Sequence, residues 1–189
     1  MIDSIVTKMK GILLNPVETL QQSKDDDQKI ILTYFAVLLL INSFFYAIIT
    51  YTKTGSYTAS LVPGPGGIFL IFAVTVISTI ILSVLFVVWL HLWVYIFGGR
   101  MGLIRTAKAF VYGGTPWFLL GWVPYIGVIF LIWSIVLGVL GVRELHEIST
   151  ARAAVALIIA IGIPFMILLF ISLYLISHLN TIPAGVYTP

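Results

Sequence analysis

Charge is what this sequence has least of. Only 9% of its 189 residues are Asp, Glu, Lys or Arg, while 60% are hydrophobic. Soluble domains carry about 25% charged residues, so water cannot be the solvent for most of this surface. Cysteine is absent, which excludes a disulfide framework, thiol catalysis, iron–sulfur clusters and Cys-rich zinc sites. Ten Lys and Arg stand against seven acids, without the clustered basic face that nucleic acid requires, and no nucleic-acid partner is expected. Residues 1–29 are mostly polar and contain acids. They do not read as a cleavable signal peptide.

What is present is a series of long apolar runs. A spanning helix needs about 20 mainly apolar residues, and residues 30–51 and 153–177 each supply one, the second broken or kinked near Pro164. Residues 52–65 read as a polar loop and residues 66–98 as a tilted span ending at Gly98 and Gly99. From Ala109 to Val142 there are 34 residues without a charge, roughly 50 Å of helix and too long for a core of about 30 Å. Trp122-Val123-Pro124-Tyr125 sits near the middle of that stretch. Proline disfavours helix at the residue before it, and Trp and Tyr favour interfaces. The sequence therefore predicts two spans there, about 106–122 and 124–142.

Charge tests the count independently. Five spans with a cytoplasmic N-terminus place Lys8, Lys10, Lys24, Lys29, Arg100, Arg105, Lys108, Arg143 and Arg152 inside and only Lys53 outside. Merging the hairpin moves Arg143 and Arg152 outside, and the positive-inside rule prefers five. The expected architecture is all-α: a five-transmembrane-helix bundle over 30–178, short cytoplasmic N-terminal helices over 1–29, and an extracytoplasmic tail over 179–189. Ile2, Ile5, Val6, Met9, Ile12 and Leu13 follow helical spacing. That helix lies either on the anionic leaflet or on the protein's own cytoplasmic face. Asn15, Pro16 and Glu18 read as the start of a second helix.

Ionisable residues within spans default to functional candidates. His91 is the main one, and Glu144, His146 and Glu147 form a weak polar cluster without the His-x-x-x-His spacing of a zinc helix. Asp25, Asp26 and Asp27 suit the positive end of the following helix better than a calcium loop. No Ser, His and acid share one depth, so no catalytic residue, metal or cofactor is expected. Pro116 kinks a helix, Gly113 and Gly114 allow close approach, and Thr115 can bond a carbonyl freed by the kink. Together with Pro124 these are the hinge candidates.

The stretch from Ala109 to Ala156 resembles the Yip family of Ypt/Rab-interacting five-span membrane proteins. The resemblance rests on Tyr112-Gly-x-x-Pro116, Trp122-x-Pro124, Trp133, Gly141-x-Arg-Glu-x-His146 and Ser149-Thr-x-Arg-Ala153, with the Asn15-Pro-Val-Glu-Thr-Leu20 entry before span one. It implies a five-helix bundle with its N-terminus inside and its C-terminus outside. For eukaryotic members it also implies partnership with prenylated small GTPases. This chain lacks their Asp-Leu-Tyr-Gly-Pro motif and looks like a compact prokaryotic member, which implies a prokaryotic cell membrane, with an endomembrane as the alternative. The first expectation is a non-enzymatic scaffold that meets partners or anionic lipids through Lys8, Lys10, Arg100, Arg105, Lys108, Arg143 and Arg152, and it can form homo-oligomers. The alternative is a small-solute channel hinged at Gly113–Pro116 and lined by Ser78, Thr79, Ser83 and Thr115. A membrane enzyme using His91 with Glu144 or Glu147 ranks last.

Overall fold

The computed structural model describes residues 2–62 and 64–179 and is helical throughout, with no strand among them. Helix α1 (Ile2–Leu14) and helix α2 (Pro16–Gln22) are followed by a 3-10 turn, Ser23–Asp25. Asp27 opens α3 (Gln28–Leu61): its carbonyl accepts from the amides of Ile30 and Ile31, and its carboxylate accepts from the Lys29 amide at 2.5 Å. The Ile31 bond is the first of the regular ladder, and two amides that would be orphaned at a helix start, Ile30 and Lys29, are satisfied by the Asp27 carbonyl and side chain. Helix α3 continues past Thr52, where the sequence suggested a loop, so the connection to the next helix shrinks to residues 62–64. The polar residues of that stretch are compatible with helix, and only Pro63-Gly64-Pro65 compels a break.

Helix α4 (Pro65–Ile96) ends in a Schellman motif: Gly98 adopts φ +102°, its amide bonds to Tyr95 and the Gly99 amide to Val94 at 2.8 Å. Next come α5 (Leu103–Gly113), α6 (Thr115–Leu120), α7 (Gly127–His146) and α8 (Thr150–Leu179). Pro164 lies inside α8 without ending it.

Four helices are long and apolar enough to cross a membrane, at Gln28–Thr52, Pro65–Ile96, Gly127–His146 and Thr150–His178. The third expected span, 106–122, is carried by α5 and α6, of 11 and 6 residues, neither of span length alone. The break falls at Gly114, because Pro116 has no amide hydrogen to give one turn back. The stretch 179–189 expected as a tail starts at the last residue of α8 and otherwise lies outside the described residues.

Although broken, α5 and α6 run antiparallel to α7 along its whole length. Thr106 meets His146 at 2.9 Å, Gly113 faces Gly138, and the Trp117 amide donates to the Ser134 hydroxyl at 2.9 Å. A Cβ at Gly113 would lie 2.8 Å from Gly138 Cα, and one at Gly141 would lie 3.1 Å from Ala109 Cα. Helices in lipid associate by such close approach of small residues. Ala153, Ala156 and Ala160 of α8 are fully buried, and Trp89 Nε1 of α4 donates to the Ala160 carbonyl at 2.9 Å. Beyond Pro164, by contrast, α8 is exposed on every side through His178. An apolar helix exposed all round belongs in hydrocarbon.

Gly113→Ala is expected to cost about 1–3 kcal/mol, the scale of overpacking. Gly162→Ala, which meets nothing within 4 Å, is expected to melt within error of the parent. Thermal unfolding of both variants in one detergent checks the pair.

Candidate functional site

Three features meet at or near one pole of the bundle, the pole that holds α1, α2 and the α4–α5 and α7–α8 connections. The first is the break between α5 and α6. Pro116 leaves the Tyr112 carbonyl without its helical donor, and the Thr115 hydroxyl donates to that carbonyl at 2.7 Å. Having spent its one hydrogen, Thr115 Oγ1 accepts from the Tyr34 hydroxyl at 2.9 Å. Tyr34, Tyr112 and Thr115 are fully buried, and the two rings meet edge to face with centroids 5.2 Å apart. The far end of the hairpin is held by Trp122, whose ring stacks on Phe45 at 4.5 Å and whose Nε1 donates to the Leu119 carbonyl. Tyr125, one residue past Pro124, has φ +65° and is 95% exposed at the turn.

The second feature ties the N-terminal segment down. Asp26 accepts from Lys8 and from the Tyr112 hydroxyl, and Lys8 also lies over the Tyr112 ring at 5.2 Å. Ile5 and Ile12 of α1 enter the core, so this helix packs on the protein itself, the second of the two placements its spacing allowed. The Asn15 side chain makes no capping bond to the backbone. Its amide donates instead to Glu18 at 2.7 Å. Farther along, Gln21 donates to Glu144 at 3.0 Å, and Lys24 pairs with Glu147 at 2.6 Å. That hydrogen bond, and the nearby Lys24 charge, hold the exposed Glu147 carboxyl below its usual range. The pair is therefore fully formed above the ordinary carboxylate range and is lost only as pH falls through the lowered value.

The third feature is a chain of side chains between α4, α5 and α7. His91 Nδ1 lies 2.8 Å from Thr106 Oγ1, which lies 2.9 Å from His146 Nε2. The expected grouping of His91 with Glu144 or Glu147 does not form. Glu144 is engaged by Arg143 and Gln21, and Glu147 by Lys24. No group of three His, Cys, Asp or Glu side chains that could hold a metal occurs among the described residues.

The basic residues expected on one open face divide into two sets. Lys10 and Arg152 are exposed, and Arg100 is exposed but stacks on Tyr95 at 3.7 Å and donates to its carbonyl. Lys8 and Arg143 are ion-paired, and Arg105 has a buried Nη1 without a partner. Lys108 is the clear correction. It is 3% exposed and donates to the carbonyls of Ser23 and Lys24 at 3.2 and 2.6 Å, so it braces the 3-10 turn rather than facing a partner. The hydroxyls expected along a channel also disperse. Thr115 is buried and committed, Ser78 bonds its own helix, and Thr79 and Ser83 line, with Ser134, a mostly apolar cavity of about 630 Å³ beside Gly113.

A family model described as the Yip1 domain matches residues 10–173. This chain belongs to the Yip1 domain family. No curated protein and no solved structure matches it. The matched stretch of this Yip1-domain protein takes in the Thr115 break, the His91–Thr106–His146 chain and most of the N-terminal anchor. Sequence reading missed Asp26 as an anchor, Tyr34, Tyr112 as a donor, and Thr106. The available signal was the two phenols inside apolar runs, since a buried tyrosine hydroxyl usually finds a partner.

Asp26→Ala leaves Lys8 and the Tyr112 hydroxyl without their acceptor, which costs about 1–3 kcal/mol when a partly buried donor loses its partner. Limited trypsin digestion is expected to cut faster at Lys8, Lys10 and Lys24 in this variant. Glu147→Gln, which touches only an exposed pair, is expected to leave the rate near that of the parent.

Proposed function

We propose that this Yip1-domain protein is a non-enzymatic five-span scaffold that gathers anionic lipids or membrane-associated proteins on its cytoplasmic face. The observation that carries the reading is the distribution of charge. Exposed Lys10, Arg100 and Arg152 share one pole with the paired groups, while the apolar segments carry no Asp or Glu. Charges placed only where water or headgroups reach them belong to contacts outside the hydrocarbon. The Yip1 family is not a known enzyme family.

The pairing of α5–α6 with α7 supports a reading of five spans. If α7 crosses, a partner that runs beside it from Thr106 to Gly121 crosses with it. The basic excess supports an N-terminus inside and a C-terminal end outside, and the likeness to compact Yip-type chains supports a prokaryotic cell membrane as the setting.

Two experiments test this. Because the chain has no cysteine, single thiols report sidedness directly. Tyr125→Cys is expected to react with an impermeant maleimide from outside intact cells and Met101→Cys only after lysis, and the reverse pattern would overturn the topology. Affinity purification in a mild detergent, comparing the parent with Lys10→Gln/Arg100→Gln/Arg152→Gln, tests the face. A several-fold loss of bound anionic lipid or protein is expected, whereas identical recovered sets would remove the basis of the scaffold reading.

A further inference from the structure

The histidine chain at the charged pole has no place in a scaffold role. Thr106 has one hydroxyl hydrogen, so it donates to one imidazole and accepts N–H from the other. With the hydroxyl 2.8 Å from His91 and 2.9 Å from His146, this suits two neutral rings. The other side of His146 is closed. Its Nδ1 is buried without a partner, the residue is 3% exposed, and a Cβ on Gly99 would fall 2.9 Å from that nitrogen. Gly99 sits in the loop between α4 and α5, fixed by its amide bond to Val94.

A proton added to His146 therefore creates a charged donor with nothing to receive it, and burying an unpaired charge is costly. Surrounding groups supply no relief. His91 faces it from α4 with ring centroids 6.2 Å apart, and Arg105, with a buried unpartnered Nη1, comes from α5, while Lys108 on the same helix is committed to the Ser23 and Lys24 carbonyls. Arg152 reaches Gly98 from α8. On α7 itself Arg143 holds Glu144, and beyond its end Glu147 is held by Lys24 from the 3-10 turn. The cations outnumber the acids, and both acids are already occupied. A proton on His91 is accommodated, because Thr106 can accept from His91 Nδ1 and donate to His146 Nε2, but it sets a positive charge facing the His146 ring at a centroid distance of 6.2 Å.

We propose that the His91–Thr106–His146 junction is an acid-sensitive latch, closed while His146 is neutral and opened when it takes up a proton, which frees the 97–102 loop from the end of α7. The proposal goes beyond the scaffold reading and does not depend on it, because it concerns the resting contact between two connections.

The test places spin labels on the full chain in lipid nanodiscs at Met101→Cys and Ser149→Cys, both exposed positions flanking the junction. On acidification from about pH 7.5 to about pH 3.5, a range that passes the value of about 4 to which burial and the nearby His91 and Arg105 charges push His146 down, the interlabel distance is expected to shift reversibly to longer values. His146→Gln, which cannot take up a proton, is expected to lose the shift. His91→Gln, which removes the facing ring, is expected to keep the shift and move its midpoint to higher pH, and this tests the latch independently if the first variant fails to fold. Thr106→Ser is expected to keep the response, and Thr106→Val to populate the long distance already at neutral pH. A distance that does not move with pH in the parent, one that moves equally in His146→Gln, or a midpoint unchanged in His91→Gln would overturn the latch.

Discussion

Inside a bilayer a backbone carbonyl that loses its donor has no water to turn to, so the protein must supply one. Pro116 creates this problem in the middle of an apolar segment, and Thr115 answers it from the adjacent position. Its hydroxyl reaches back to the Tyr112 carbonyl and in turn receives the Tyr34 hydroxyl. Much of the remaining architecture depends on that short chain. It lets α5 and α6 change direction without exposing polar backbone, so the pair can follow α7 while Gly113 approaches Gly138 more closely than a side chain would permit. It also joins α3 to the hairpin by a polar contact buried from both lipid and water.

The same region connects lipid-facing helices with the charged pole. Tyr112 contributes its carbonyl to the break and its hydroxyl to Asp26, which holds Lys8 of α1. One residue thus spans the distance from the proline break to the N-terminal helix. Lys108, one turn earlier on α5, is bonded by the carbonyls at the end of the 3-10 turn. The N-terminal segment is accordingly part of the packed body, and the charges left open for contact are fewer than the sequence total suggests.

What could be read from the sequence was whatever depends on solvent or on near neighbours in the chain. Low charge required lipid, Pro116 with Thr115 marked a repaired kink, and Trp122 to Tyr125 marked a turn. The end of α3 was less legible, because residues 52–61 are polar enough for a loop yet contain nothing that breaks a helix. Lys108 misled for a different reason. A lysine near an expected interface reads as exposed, and only the folded position of Ser23 and Lys24 reveals that carbonyls bury it. Contacts between distant positions, such as His91 with Thr106 and His146, leave no periodic trace, and Glu144 and Glu147 looked like partners for His91 because they fall on one helix face.

The most direct measurement compares thermal unfolding of Thr115→Val and Thr115→Ser with the parent in the same detergent. Valine keeps the shape but strands the Tyr112 carbonyl and the Tyr34 hydroxyl, a loss of about 1–3 kcal/mol for buried groups left unpaired, whereas serine keeps the hydroxyl and should melt close to the parent. A valine variant as stable as the parent would contradict the claim that this hydroxyl holds the broken hairpin together.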